Sequence, residues 1–128
     1  MSKKVIFLVG LPGSGKTHYA GGFPGYTLLD DPSVFVTHES LLKFMADHGD
    51  LIISDPMLCR EWTQVSAKAI FSRYAQRWIY WENDLEACLN NIHKRNDDRH
   101  ISLDFMKALS RQYFIPDGVA QIPVFRKI

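Results

Sequence analysis

The stretch Gly10-Leu11-Pro12-Gly13-Ser14-Gly15-Lys16-Thr17 constrains this chain more than any other. It fits the pattern G-x-x-x-x-G-K-[ST], a loop built to wrap an anion. Glycines let the backbone curl so that several N–H groups face one ligand, where a Cβ would block the approach. The helix expected next adds partial positive charge at the same point. Lys16 is of a length to reach the β- and γ-phosphates of a nucleoside triphosphate, and the Thr17 hydroxyl is a ligand for Mg²⁺. The flanks agree with the pattern. Val5-Ile6-Phe7-Leu8-Val9 is an apolar, β-rich run suited to one buried parallel strand. Residues 17–20 can open a helix, which Gly21-Gly22-Phe23-Pro24 must stop. These features together predict binding of a nucleoside triphosphate with Mg²⁺.

The rest of the chain alternates strand-like and helix-like segments. A second strand is expected over 26–29, with Asp30 and Asp31 in the loop at its C-terminal end because Pro32 disfavours helix before it. Helix is expected over 39–48, a third strand over 51–55, and helix over 60–74 burying Trp62, Val65, Ala69 and Ile70. A fourth strand over 77–81 precedes a helix capped by Asp84, whose apolar face is Leu85, Cys88, Leu89 and Ile92. Ser102 opens a last helix to Tyr113, and 122–125 reads as a fifth strand that Pro123 confines to the sheet edge. Such alternation implies an α/β fold, a parallel sheet covered on both faces. Ligands in such sheets gather at the C-terminal ends of the strands. The first three strands end in the Gly10 loop, in Asp30-Asp31 and in Asp55.

Those ends supply the candidate chemistry. Asp55 terminates an apolar strand, where phosphate-loop enzymes place an acid that helps hold Mg²⁺; the alternative is an acid that only starts the turn at Pro56. Asp30 or Asp31 can orient an acceptor hydroxyl and take its proton, or can serve plain turn chemistry. Arg95 and Arg99, four apart, can grip phosphate oxygens and offset charge on a moving phosphoryl group. Otherwise they form a solvated turn with Asp97 and Asp98. The five histidines and the two cysteines, Cys59 and Cys88, lack metal-ligand spacing. Reduced, buried thiols are expected.

At 128 residues and a net charge of +1, a single domain over 1–128 is expected, with no overall pull toward nucleic acid or membrane. No apolar stretch reaches the length of a membrane span, and the loop follows the first apolar run without a cleavage site for a signal peptide. An intracellular, cytoplasmic location is the expectation.

The chain resembles small P-loop kinases of the polynucleotide-kinase type, as in the kinase domain of phage 5′-hydroxyl polynucleotide kinases. The resemblance rests on Gly-Leu-Pro-Gly-Ser-Gly-Lys-Thr at 10–17, Leu-Ile-Ile-Ser-Asp at 51–55 and Lys-Arg-Asn-Asp-Asp-Arg at 94–99. It implies a three-layer P-loop NTPase of nucleoside-kinase-like architecture, with five parallel strands in the order 2-3-1-4-5. It implies a lid in which Arg99 meets the donor phosphates and Arg95 stands at the lid's start. It also implies a general base just after the second strand, at Asp30 or Asp31. Two positions depart from the family. No arginine lies between Lys16 and Arg60, where those enzymes carry one for the acceptor's phosphate, and Met57 replaces an asparagine. The resemblance thus implies ATP-dependent phosphoryl transfer to a hydroxyl, with a nucleic-acid 5′ end as leading acceptor. A nucleoside, sugar or antibiotic hydroxyl is the alternative, and so is a nucleotide-binding ATPase or switch module without an acceptor.

Overall fold

The computed structural model describes residues 3–30, 49–94 and 101–125. Five strands form one parallel sheet: β1 (Lys4–Val9), β2 (Thr27–Asp30), β3 (Leu51–Ser54), β4 (Ala75–Trp81) and β5 (Gln121–Ile122). Their order is β2-β3-β1-β4-β5, the order that the resemblance implies. The helices are α1 (Lys16–Ala20), α2 (Glu61–Ile70), α3 (Leu85–Lys94) and α4 (Leu103–Gln112), with a 3₁₀ turn at Pro56–Cys59.

β1 lies at the centre because it is apolar on both faces. Val5, Phe7 and Val9 join Leu51 and Ile53 on one side, where Ala67 of α2 and Phe71 cover them. Ile6 and Leu8 join Ile52 and Trp81 on the other, beneath Ala20 of α1. A strand buried on both faces loses nothing by continuous hydrophobicity, which is why no alternation shows in its sequence. The aromatic residues of β4 belong to this core. Trp78 stacks on Phe7 with ring centroids 4.1 Å apart, and Tyr80 and Trp81 are buried. A third apolar cluster joins Leu11 of the loop to Cys59, Cys88 of α3, and Met106 and Leu109 of α4. The loop therefore rests on a packed floor.

Most element ends fall where capping chemistry puts them. Asp84 Oδ1 accepts from Ala87 N at 3.0 Å, and Ser102 Oγ accepts from Phe105 N at 3.3 Å, each starting its helix. β5 sits at the edge as expected but spans Gln121–Ile122 and not 122–125, so Pro123 ends the strand instead of lying within it. Three further expectations change. Asp30 is the last residue of β2, paired with Ser54, so it belongs to the strand and not to the loop beyond it. α2 ends at Ile70 because Phe71 turns into the core instead of continuing the helix.

The third change is the face of α2. Trp62 and Val65 are 77% and 62% exposed and Ala69 is exposed, whereas Thr63, Gln64 and Ala67 are buried. The reason is a polar network inside. Tyr80 Oη donates to Gln64 Oε1 at 2.8 Å, and Gln64 Nε2 donates to the Phe114 carbonyl at 2.9 Å. Paired on both ends, a buried glutamine costs little, and small Thr63 and Ala67 let α2 approach the sheet closely. The helix expected over 39–48 lies outside the described residues. Among the described residues no helix is long and apolar enough to cross a membrane.

Candidate active site at the phosphate loop

The loop leaves β1 at Val9 and re-enters regular structure at Lys16. Gly13 and Gly15 hold φ of +87° and +102°, the left-handed region where a side chain is strained. Gly10 is tight for another reason, since a Cβ there would lie 2.8 Å from Ser14 Oγ and 3.0 Å from Trp81 Cβ. The Ser14 N–H donates to the Leu11 carbonyl at 3.2 Å and closes the curl. Leu11 and Pro12 turn inward and are buried. Lys16 is 7% exposed, and its Nζ donates to the carbonyls of Gly10 at 2.6 Å and Leu11 at 2.8 Å. Its charge thus sits inside the loop's own curve. Thr17, the next residue, is exposed on the first turn of α1.

Register brings the other strand ends beside this loop. Leu8 of β1 and Asp30 of β2 both pair with Ser54 of β3. Asp30 thus ends β2 while Gly10 and Asp55 follow β1 and β3, all three at the C-terminal ends of neighbouring strands. Asp55 is 4% exposed, and its Oδ1 accepts from Met57 N at 2.9 Å. The turn-starting role foreseen for this acid is real, and it fixes the carboxylate at the end of β3 beside the loop. Asp31, Arg95 and Arg99 lie outside the described residues.

The residues that position the loop were missed by sequence reasoning. Asn91 of α3 is 6% exposed, and its Nδ2 donates to the Gly13 carbonyl at 2.9 Å and to the Phe125 carbonyl. α3 comes so close that a Cβ on Gly13 would lie 2.5 Å from the Cys88 carbonyl oxygen. A signal existed: Asn91 falls among Cys88, Leu89 and Ile92 on an otherwise apolar helix face. A polar side chain there needs a buried partner. Tyr113, expected only as the end of the last helix, directly follows α4. Its hydroxyl shares one proton between the carbonyls of Val9 at 2.9 Å and Trp81 at 2.5 Å, tying the ends of β1 and β4 together.

Burial keeps the groups under the loop neutral. It pushes the Cys59 and Cys88 thiols up to about 12 from an ordinary 9.0, although the Lys16 charge pulls the other way. The Tyr80 phenol is pushed up to about 12 by the same cause, and that of Tyr113 rises further. The sign of the resulting pH dependence is fixed. The unfolded chain releases these protons near pH 9 while the folded chain holds them until about pH 12. Stability is therefore fully present below pH 9 and is lost progressively above it. The urea midpoint should hold level from pH 7 to 8.5 and fall steadily from pH 9 to 11. A midpoint that stays level to pH 11 would show that the thiols ionise alike in both states. Neither thiol should react with a charged disulfide reagent at pH 8 until the chain unfolds.

No family model matches this chain. It is 29% identical over 130 residues to a curated protein named "Uncharacterized protein R277" of Acanthamoeba polyphaga mimivirus, the match spanning 90% of this chain and 89% of that one. Among solved structures it is similar to a chain of the "Structure of the Pnkp1/Rnl/Hen1 RNA repair complex", with a TM-score of 0.68 at 15% identity. That match covers 87% of the present chain and 44% of the other, so this chain spans less than half the length of its structural neighbour. At so low an identity the likeness shows the fold. The class is an α/β fold, one parallel five-stranded sheet ordered 2-3-1-4-5 with helices around it.

Proposed function

We propose that this chain is an ATP-dependent phosphotransferase that moves the γ-phosphoryl group to a hydroxyl acceptor. The observation that carries the reading is the loop itself: left-handed Gly13 and Gly15, Lys16 enclosed by the loop and Thr17 exposed beside it, at the end of the central strand. Asp30 ends β2 and Asp55 follows β3, the strand that lies between β2 and the central β1. Lys16 would hold the β- and γ-phosphates, with the backbone of residues 10–15 around them. Thr17 and Asp55 are hard oxygen ligands suited to Mg²⁺, which is ordinarily held by one or two protein oxygens together with substrate phosphates. Bound there, the ion would screen phosphate charge. Arg95 and Arg99 would bind the donor phosphates, and Arg99 would offset charge as the phosphoryl group moves.

Asp30 or Asp31 would orient the acceptor. In the transfer, the acceptor oxygen forms a bond to the γ-phosphorus as the bond from that phosphorus to the β-bridging oxygen breaks. ADP leaves, and the hydroxyl proton passes to the aspartate. Asn in place of the base keeps the shape and a hydrogen bond but cannot take the proton. One of Asp30→Asn and Asp31→Asn should therefore keep ATP binding and lose transfer by about 10²-fold or more. Full transfer by both variants would remove the aspartate base.

The leading acceptor is a 5′-hydroxyl end of a polynucleotide. Support comes from the kinase resemblance of 10–17, 51–55 and 94–99, and from a structural neighbour whose title describes an RNA repair complex. A small-molecule acceptor is favoured by the acceptor-side departures, Met57 and the lack of arginine between Lys16 and Arg60. Label transfer from γ-labelled ATP separates the readings. A strand ending in a 5′-hydroxyl should take label and the same strand bearing a 5′-phosphate should not. Label on a nucleoside or sugar alone would move the acceptor to the small-molecule class. Release of free phosphate without any labelled acceptor would leave an ATPase or switch module.

A further inference from the structure

Phe125 is a large apolar side chain left 64% exposed beside the phosphate loop. Its backbone is not loose there. Val124, just before it, is buried in the cluster under Leu11, and its N–H donates to Glu82 Oε1 at 3.0 Å. The Phe125 carbonyl accepts from Asn91 Nδ2, the same amide that holds the Gly13 carbonyl. One side chain thus ties residue 125 to the loop. The two segments also meet directly, since a Cβ on Gly15 would lie 3.6 Å from Phe125 Cβ. Residue 125 is held at the rim of the phosphate seat, with most of its side chain left to solvent.

Packing does not account for this ring. The segment is anchored by Val124 and by backbone hydrogen bonds, and the aromatic group adds exposed apolar area, which is unfavourable unless something covers it. A nucleotide gripped by its phosphates at Gly15 and Lys16 carries its sugar and base away from the loop, along the rim. An exposed aromatic face at that distance is a stacking surface for a base.

The geometry points to Phe125 as the platform for the nucleobase of the phosphoryl donor, a contact that rests on the phosphate-loop reading above. Stacking uses the π face that every base has, so it adds affinity without choosing among bases. ATP and GTP should bind with similar strength.

Calorimetric binding of ATP, GTP and inorganic tripolyphosphate to the whole chain tests this. Phe125→Ala should weaken ATP and GTP by about 5- to 100-fold and leave tripolyphosphate unchanged. Phe125→Trp adds a direct readout: ATP should quench fluorescence beyond that of the wild-type tryptophans, and tripolyphosphate should not. The platform is overturned if Phe125→Ala weakens ATP and tripolyphosphate equally, or neither. It is overturned too if the variant binds ATP normally and loses only an oligonucleotide acceptor. A wild-type chain that binds tripolyphosphate but gains nothing from the adenosine of ATP also rejects the platform while keeping the loop. A wild-type chain that binds none of the three ligands rejects both readings.

Discussion

Lys16→Ala is expected to abolish ATP turnover while leaving the fold intact. Nζ touches the carbonyls of Gly10 and Leu11, both within the loop, and no apolar cluster includes its side chain. Removing it deletes a preorganised positive charge from the point where charge develops on the transferring group. Losses of one such donor run to about 10²–10³ in kcat, or ~3–4 kcal/mol, and a full unit of charge should stand at the upper end or beyond. Lys16→Arg keeps the charge but carries a planar fork too broad for the curve of the loop, so it should not restore activity. Turnover and circular dichroism read together decide the matter. Unchanged turnover in a folded Lys16→Ala would end the phosphate-loop reading.

The second large effect concerns stability, and it has an internal control. Gly13 and Gly25 share φ of +87°, so an alanine at either meets left-handed backbone strain on the order of 1–2 kcal/mol. They differ in surroundings. A Cβ on Gly25 meets nothing within 4 Å, while a Cβ on Gly13 would lie 2.5 Å from the Cys88 carbonyl and 3.0 Å from Ile92 Cγ1. Relief requires the helix backbone of α3 to move, not a flexible side chain. Overpacking of that kind costs ~1–3 kcal/mol more. Gly13→Ala should therefore melt well below Gly25→Ala, by several degrees at least. It should also lose ATP binding, which Gly25→Ala should retain. Equal melting temperatures would mean that α3 yields freely and does not seat the loop.

The sheet was legible in the sequence because its strands are short apolar runs punctuated by Gly, Pro and Asp, each with a mechanism behind it. Asp84 and Ser102 announced their helices through side-chain oxygens that do cap the backbone. The strand order was not in the periodicity at all; it came from the resemblance carried by the loop. α2 was misjudged because hydrophobicity was weighed without partners. Trp62 and Val65 look like core residues, but Gln64 has two polar partners inside and so takes the buried face. Those partners, Tyr80 and Phe114, lie 16 and 50 residues away, and no local window contains them. At the site the same division holds. Where Lys16, Thr17 and Asp55 stand in the fold was readable because their pattern is local. Asn91 and Tyr113 were not, because what they hold, the carbonyls of Gly13 and Val9, lies 78 and 104 residues earlier.

Those long separations bear on how the protein is made. Synthesis delivers the Gly10 loop before any strand that pairs with β1. The parallel neighbours β3 and β4 emerge later, Asn91 later still, and the tyrosine hydroxyl that joins Val9 to Trp81 after all of these. Pairings across such distances carry a loop-closure cost before they repay it, and they fold slowly for that reason. A nascent chain therefore carries the loop's sequence pattern long before the loop is seated. Until β3 and β4 have cleared the ribosome, the loop is a glycine-rich segment on an unpaired apolar strand, a species that invites chaperone capture.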